Sequence, residues 1–222
     1  MTIPPLFPSR GARTRRSIRR AAGRFRRARR GSSAVEFALI LPVLLMVWAG
    51  MSEMSHAIDN WRKVTLLART VADLTAQGDT QNPIKASLMT DILSSAANVL
   101  RPFDATNAKI VVSAMGVDIT NLNLVPRVCS STASSNTTAR ATGPAAGLTV
   151  PAGYRTNGVR YMLAEVSMTY TPMIGSALLK ILPGLGSTIT FSASIPWPAR
   201  GGTVYAPNTY TEIVLPNGAA CP

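Results

Sequence analysis

The sequence predicts an α+β fold in which a long N-terminal transmembrane helix continues into an extracytoplasmic domain with a further helix and a small antiparallel sheet. Three observations predict it. An apolar run from Ala34 to Met51 is long enough to cross a membrane. Apolar residues then recur at helical spacing up to Gln77. The second half of the chain contains segments in which apolar and polar residues alternate, as they do in strands.

Residues 1–31 are predicted to form an Arg-rich cytoplasmic leader. They carry eleven of the 23 basic residues and no acidic residue, so most of the net charge of +13 lies here. A segment of this composition buries too little apolar surface to fold, and we expect it to be disordered when free. An apolar run follows directly, which favours a role in membrane topology over binding to nucleic-acid phosphates.

Residues 32–52 are predicted to form the transmembrane segment. As a helix, the run from Ala34 to Met51 is about 27 Å long, close to the hydrocarbon thickness of a bilayer. The preceding arginines place the N-terminus in the cytoplasm by the positive-inside rule. Pro42 lies inside the segment, and we expect it to kink the helix. A cleaved signal peptide is the alternative, with Gly50-Met51-Ser52 as the one stretch of suitable spacing.

Residues 53–78 are predicted to extend the same helix beyond the membrane. No Pro or Gly interrupts the sequence from Ser55 to Gln77, and Gly78 is expected to end the helix. One face carries an apolar stripe that we expect to pack against the domain. Its members are Trp61, Val64, Leu67, Ala68, Val71 and Leu74.

Residues 79–222 are predicted to form the α+β domain, with a long Ser/Thr/Ala/Gly-rich loop at 129–147. Asn82 and Pro83 are typical of a helix start, as N-cap and first helical residue, and this helix would run over about 83–100. A short helix is predicted over Ile174–Leu182. Strands are predicted over Lys109–Asp118, Gly158–Pro172, Ser187–Trp197 and Thr211–Leu215.

Residues that carry chemistry are few. Cys129 and Cys221 are compatible with one disulfide, and two free or buried thiols are the alternative. His56 is the one histidine, and it follows the apolar run on the same helix. We find no paired carboxylates, phosphate-binding glycine loop or metal-ligand spacing. The sequence therefore predicts no catalytic residues, no metal site and no cofactor.

The stretch from Gly31 to Pro42, GSSAVEFALILP, resembles the signature of the TadE-like (TadE/TadG) family, and the resemblance covers about residues 31–73. Members are single-span proteins of the Tad (tight adherence) type IVb pilus machinery of bacteria. The resemblance implies that a prepilin peptidase recognises Gly31, Ser32, Glu36 and Phe37 and cuts between Gly31 and Ser32. Members similar to TadG are thought to keep their N-terminus, so the retained form stays open.

The function implied is that of a minor pilin or pseudopilin, anchored in the inner membrane with its C-terminal domain in the periplasm and without catalysis of its own. Ala34 and Ala38, four residues apart, would permit close helix packing. The expected partners are the inner membrane, other Tad pilus subunits, assembly-platform proteins and a prepilin peptidase; no nucleic acid is expected. The alternative function is a membrane-anchored periplasmic binding or scaffold protein outside any pilus.

Overall fold

The structure is a computed structural model, and the chain divides into two compact units, Met1–Ser52 and Glu53–Pro222. The predicted leader lies outside the described residues. These are residues 32–117, 124–145, 147–173, 188–205 and 210–222.

A single helix, α1, runs from Ser32 to Ala76 and contains the predicted transmembrane segment together with most of its predicted extension. Gly78 follows it with a φ of 72°, and its N–H donates to the Thr75 carbonyl at 3.0 Å. Glycine adopts this left-handed conformation at little cost, which explains why the helix stops here. The amides of Arg200 and Gly201 donate to the carbonyl of Ala76, so the last turn also has partners.

The helix extension packs one face against the sheet of the domain. Val64, Leu67, Ala68 and Val71 are fully buried, as predicted. The prediction was wrong for Trp61, which is 53% exposed, while its neighbour Asn60 is buried. Successive helical residues differ by about 100° around the axis, so the sheet-facing stripe passes through position 60 and leaves position 61 outside.

The second predicted helix is shorter than expected and is split in two. Helix α2 covers Ala86–Ser94 and helix α3 covers Ala96–Val99. Asn82 was expected to cap the helix, which is wrong: the residue before α2 is Lys85, and its side chain makes no capping bond. The Asn82 side chain instead donates to the Glu212 carbonyl and accepts from the Val214 N–H at 2.9 Å. It therefore joins this segment to the C-terminal part of the chain.

The described strands are β1 (Ala108–Val117), β2 (Pro126–Ala133), β3 (Gly143–Pro144), β4 (Arg160–Tyr170), β5 (Ile189–Pro198), β6 (Thr203–Val204) and β7 (Thr211–Glu212). The main sheet has five antiparallel strands in the order β3-β2-β1-β4-β5. A separate two-stranded ladder pairs β6 with β7.

Strand β2 is the main departure from the predicted layout, because the first residues of the predicted loop 129–147 belong to it. Small hydroxyl residues favour a loop by composition, but here their hydroxyls have partners. The Oγ atoms of Ser131 and Ser113 lie 2.9 Å apart, and the buried Ser130 Oγ accepts from the Leu215 N–H. A buried hydroxyl costs little once it is hydrogen-bonded, so the strand can form.

The remaining strand predictions agree with the structure within a few residues, apart from the last. Of Thr211–Leu215, only Thr211–Glu212 is a strand. The predicted short helix over Ile174–Leu182 lies outside the described residues.

Apolar side chains fill both sides of the sheet. On the α1 side, Ile110 and Val112 of β1 meet Met162 and Val166 of β4 beneath the helix. A second, smaller cluster lies on the other side and includes Val117, Val128, Tyr161 and Leu163. The alternation of β4 between these two clusters is the period-2 pattern that its sequence predicted.

The C-terminal segment is fastened to the sheet by a cluster that we call the C-terminal clasp: Cys129, Cys221, Arg160, Glu212 and Gly116. Cys129 and Cys221 form a disulfide. Glu212 accepts from Arg160 Nε and from the backbone N–H of Cys221, each at 3.1 Å. The Arg160 and Glu212 side chains are only 5% and 4% exposed, so each charge depends on the other.

Gly116 of β1 gives the first test of the clasp. A Cβ built on it would lie 2.7 Å from Cys221 Sγ and 2.8 Å from Arg160 Nη1. We expect Gly116→Ala to lower the free energy of unfolding by about 1–3 kcal/mol through overpacking. The measurement is urea unfolding of the full chain in detergent, followed by tryptophan fluorescence.

Gly153→Ala is the matched control, because a Cβ at Gly153 would meet nothing within 4 Å. Its free energy of unfolding should stay within about 0.5 kcal/mol of the parent. Equal stability of the Gly116 and Gly153 variants would contradict the close packing of the clasp.

Candidate functional site

The first half of α1 is apolar around its circumference apart from the charged Glu36. From Val35 to Met51 its side chains are exposed, except for the half-buried Ala49. By length and composition this is the one candidate membrane span among the described residues, and its most apolar window is not buried in the protein. A helix that is apolar on all sides and is not covered by protein fits a lipid environment.

Glu36 lies in the second turn of α1. Ser32 is the first helical residue, so Glu36 is four residues further and on the same side of the helix. Phe37 is the next residue and is exposed. Gly31 lies outside the described residues, and the proposed cleavage bond therefore falls where the described helix begins.

Ala34, Ala38 and Pro42 follow each other at steps of four and share one side of α1. All three are exposed, and the helix is continuous across Pro42. Pro42 has no N–H to donate to the carbonyl of Ala38. Small residues on one side of a spanning helix let another helix approach closely. The kink at Pro42 stays a prediction.

Three polar side chains of α1 contact the sheet beyond the apolar half. Glu53 Oε2 accepts from the Tyr170 hydroxyl at 2.9 Å. Asn60 Nδ2 donates to Met168 Sδ at 3.8 Å, a weak bond because a thioether is a poor acceptor. The third contact comes from Asp73. From Glu53 to Asp73 these contacts cover about 30 Å of helix, so the extension is held along its length.

Asp73 is the most connected of the three. It accepts from Trp197 Nε1 at 3.0 Å and forms an ion pair with Arg200, which is partly exposed. The Arg200 guanidinium also lies 6.0 Å from the centre of the Trp197 ring. These contacts fix the last turns of α1 to the end of β5, where the Arg200 amide meets the Ala76 carbonyl.

Tyr170 makes the contact nearest the apolar half. Its ring lies edge-on to Phe103, with centroids 6.2 Å apart, and 6.3 Å from Phe191. Burial, together with the Glu53 carboxylate, raises the pKa of Tyr170 to about 12. The hydroxyl therefore stays protonated and donates to Glu53 over the whole physiological range.

The disulfide-bonded pair Cys129 and Cys221 belongs to the C-terminal clasp. The ligand atoms of Cys129, Cys221 and Glu212 are within 4.8 Å of one another, a grouping that suits a metal ion. Both sulfurs are bonded to each other, so neither is a thiolate ligand. Glu212 moreover pairs with Arg160, whose positive charge opposes a cation at this position.

Sequence reasoning missed Glu53 and Asp73, because their partners lie 117 and 124 residues away. A signal for Glu53 was present. Glu53, Asn60 and Leu67 are spaced by seven, so they continue the apolar stripe towards the N-terminus on one side of the helix. A charged residue on the packed side of a helix predicts a polar partner in the domain, although not which one.

The contact between Glu53 and Tyr170 can be tested with pH. The folded pKa of Tyr170, about 12, lies above the ordinary value near 10, so the stabilisation is complete below pH 10 and is lost as the pH rises towards 12. We expect Tyr170→Phe to lower the free energy of unfolding by about 1 kcal/mol at pH 8. Above pH 10 the free energy of unfolding should decrease less steeply with pH in this variant than in the parent protein. Urea unfolding from pH 8 to 11 measures both.

Tyr210→Phe is the control for this test. Tyr210 is 36% exposed, and its hydroxyl donates to the Asn157 carbonyl and not to Glu53. The free energy of unfolding of this variant should decrease above pH 10 as it does in the parent protein. If the free energy of unfolding of Tyr170→Phe decreased above pH 10 as steeply as that of the parent protein, the Tyr170 hydroxyl would not stabilise the contact with Glu53.

Comparison with known proteins connects the α1 segment to a family. The sequence model of the family described as TadE-like protein matches residues 31–73. The matched segment is less than a quarter of the chain, and it contains the candidate span and most of the helix extension. Neither the curated proteins nor the solved structures gave a match. The TadE-like domain at residues 31–73 supports membership of this chain in the TadE/TadG-like family.

Proposed function

We propose that the chain is a minor pilin or pseudopilin-like subunit of a Tad type IVb pilus assembly and secretion system. The observation that carries the proposal is that the TadE-like match coincides with an apolar helix exposed on all sides and with its extension against the sheet. Such a chain acts by packing. Its spanning helix associates with other subunits, and its domain contacts further components of the pilus or its assembly platform.

The proposed location is the bacterial inner membrane, with a single span, a cytoplasmic N-terminus and a periplasmic domain. The charge distribution supports this orientation, since eleven arginines precede the span and the rest of the chain is nearly neutral. A disulfide within the domain suits an oxidising compartment. The signal-peptide alternative needs cleavage near Gly50-Met51-Ser52, a stretch that lies inside the continuous helix α1.

Processing is the second part of the proposal. A cut between Gly31 and Ser32 would remove every arginine of the leader and leave Glu36 as the fifth residue. The new amine at Ser32 is cationic, and the Glu36 carboxylate of a neighbouring subunit would pair with it in an environment of low dielectric constant. An ion pair between subunits within the membrane fixes their relative position, so this pair would set the register between subunits.

The extension offers a further surface for subunit packing. Met54, Ile58 and Trp61 are exposed large apolar residues at steps of four and three along α1. This spacing places them on one side of the helix, as at the seam of two packed helices. Outside the bilayer such a surface is stabilised by contact with protein, which supports assembly over simple anchorage.

We further propose that the chain has no enzymatic activity of its own. The alternative function is a membrane-anchored periplasmic binding or scaffold protein that is not part of a pilus. The continuous helix and the folded domain suit both functions. Incorporation into a pilus would distinguish the two functions, and so would cleavage by a prepilin peptidase.

The test of processing is coexpression of the full chain with a prepilin peptidase, followed by intact mass measurement. We expect the mass to fall by that of residues 1–31. Gly31→Leu should block the cut, while the control Gly23→Leu, which changes another glycine of the leader, should be trimmed like the parent protein. An unchanged mass of the parent would contradict processing and favour the retained, TadG-like form. A cut near Ser52 would indicate a signal peptide.

The test of the Glu36 pairing is Glu36→Ala, with Asp59→Ala as the control because Asp59 is an exposed acid on the extension. A lost pair in the membrane is worth about 1–2 kcal/mol, so we expect the assembled fraction to fall on the order of tenfold. Immunoblots of sheared pili and of membranes measure assembly and insertion separately. Normal piliation in Glu36→Ala would contradict the pairing, whereas loss from the membrane fraction would show a defect in insertion.

A further inference from the structure

The face of the sheet turned away from α1 carries an open groove with a volume of about 400 Å³. Its floor belongs to β1, β4 and β5, where Lys109, Ser167 and Ser192 form one row across the three strands. Glu165 and Ser194 pair with each other two residues further along. Side chains alternate between the two faces of a strand, so these five lie opposite the core beneath α1.

One wall of the groove is the segment from Asn136 to Arg140, which follows β2. Asn136 Nδ2 donates two hydrogen bonds, each of 2.9 Å, to backbone carbonyls at and just before the start of β1. The Arg140 guanidinium donates to both carboxylate oxygens of Glu165. Both ends of the segment are therefore fixed to the sheet, and Thr137 and Thr138 between them are held along the groove.

Most polar side chains of the groove have no partner within the protein. Six of them form no hydrogen bond or ion pair with the described residues: Lys109, Thr137, Thr138, Ser167, Ser192 and Ser194. By contrast, the hydroxyls of Thr75, Ser131 and Ser134 in the same domain all have protein partners. Each free hydroxyl can both donate and accept, so the groove can exchange its water for a ligand that does the same.

The charge of the groove favours an anion. Lys109 and Arg140 are cationic and Glu165 is anionic, which leaves a net charge of +1. Both oxygens of Glu165 already accept from Arg140, so this carboxylate does not hold Lys109. An oxyanion at Lys109 would receive a charge-assisted hydrogen bond from the ammonium and could accept further bonds from the hydroxyls of the same row.

The lining also restricts the rest of the ligand. No aromatic side chain is present among the described residues that line the groove, and its largest apolar members are Val111 and Val166. Stacking of a nucleic-acid base needs an aromatic or guanidinium plane, and Arg140 is engaged with Glu165. Hydroxyls spread over two strands and a loop instead match a ligand that carries several hydroxyls of its own.

We propose that this hydroxyl groove, defined by Lys109, Thr137, Thr138, Ser167, Ser192 and Ser194, binds an anionic saccharide. The phosphate or carboxylate group of the saccharide lies at Lys109. Its sugar hydroxyls exchange hydrogen bonds with the serines of β4 and β5 and with the threonines of the wall. The proposal is independent of the pilin function, because every residue it uses belongs to the unit Glu53–Pro222.

The test is a titration of the full, isotope-labelled chain in micelles of a detergent without a sugar headgroup, followed by amide chemical shifts. The probes are glucose 6-phosphate and glucuronate, with glucose and inorganic phosphate as controls. We expect saturating shifts at Lys109 and Ser192 with at least one anionic sugar. Its affinity should exceed that of glucose and of inorganic phosphate at least tenfold, since each control lacks one set of contacts.

The two anionic probes distinguish the sources of the charge. A preference for glucose 6-phosphate would identify a phosphate group, and a preference for glucuronate would identify a carboxylate. Absence of saturating shifts with both would overturn the proposal. Equal affinity for glucose would also overturn it, because Lys109 would then have no role, and so would equal affinity for inorganic phosphate, because the groove would bind an anion alone.

Matched variants test the residues. Lys109→Met should weaken binding of the anionic sugar at least tenfold, whereas Lys85→Met, which changes an exposed lysine outside the groove, should bind like the parent protein. Ser192→Ala should weaken binding about threefold, and Ser135→Ala, at an exposed serine outside the groove, should leave it unchanged. All four side chains are exposed, and a parent-like amide spectrum shows that each variant is folded.

Equal affinity of the two lysine variants, or of the two serine variants, would contradict the assigned contacts and overturn the proposal. Pilus assembly is measured separately on the same chains. A chain that binds the anionic sugar but does not enter pili would support the saccharide site and contradict the pilin function alone.

Discussion

The structure depends on one helix that meets two different environments. In its first half α1 exposes apolar side chains on every side, and in its second half it buries a single stripe against the sheet. A helix satisfies most of its backbone hydrogen bonds internally, so the same element can pass from lipid to water, with the Ala38 carbonyl opposite Pro42 as an exception. What changes along it is the side-chain pattern, which goes from apolar all round to apolar on one side. That change determines where the domain can pack.

The contacts of the extension follow from this constraint. Apolar burial alone is non-directional and would tolerate sliding of the helix along the sheet. Glu53 and Asp73 bind specific partners on β4 and β5, and the Ala76 carbonyl accepts from the chain after β5. Directional bonds at both ends of the extension therefore fix its register. The C-terminal clasp fixes the position of the last residues of the chain on the sheet, through the Arg160–Glu212 ion pair and the disulfide.

The sequence allowed α1, β4 and β5 to be predicted because each carries a strong local period. It could not reveal β2, since serines 130 and 131 are typical of loops until their hydroxyls find partners across the sheet. The packed stripe passes one residue before Trp61, at Asn60, because an apolar side chain is not necessarily a buried one. The Glu36 region was recognised from its local motif. The partner of Glu53 was not, because a contact across 117 residues leaves no local pattern.

On the proposed function, the charge distribution implies an order of events. The leader holds eleven arginines and no acid, and it adjoins the helix that would pack against other subunits. Uncleaved copies would bring these like charges together, which opposes association, although the same charges favour correct insertion. Removal of residues 1–31 leaves a segment with twelve basic and ten acidic residues, and it creates the Ser32 amine that Glu36 could bind. Insertion would therefore precede cleavage, because the arginines favour it, and cleavage would precede assembly, because it removes the repulsion between the leaders.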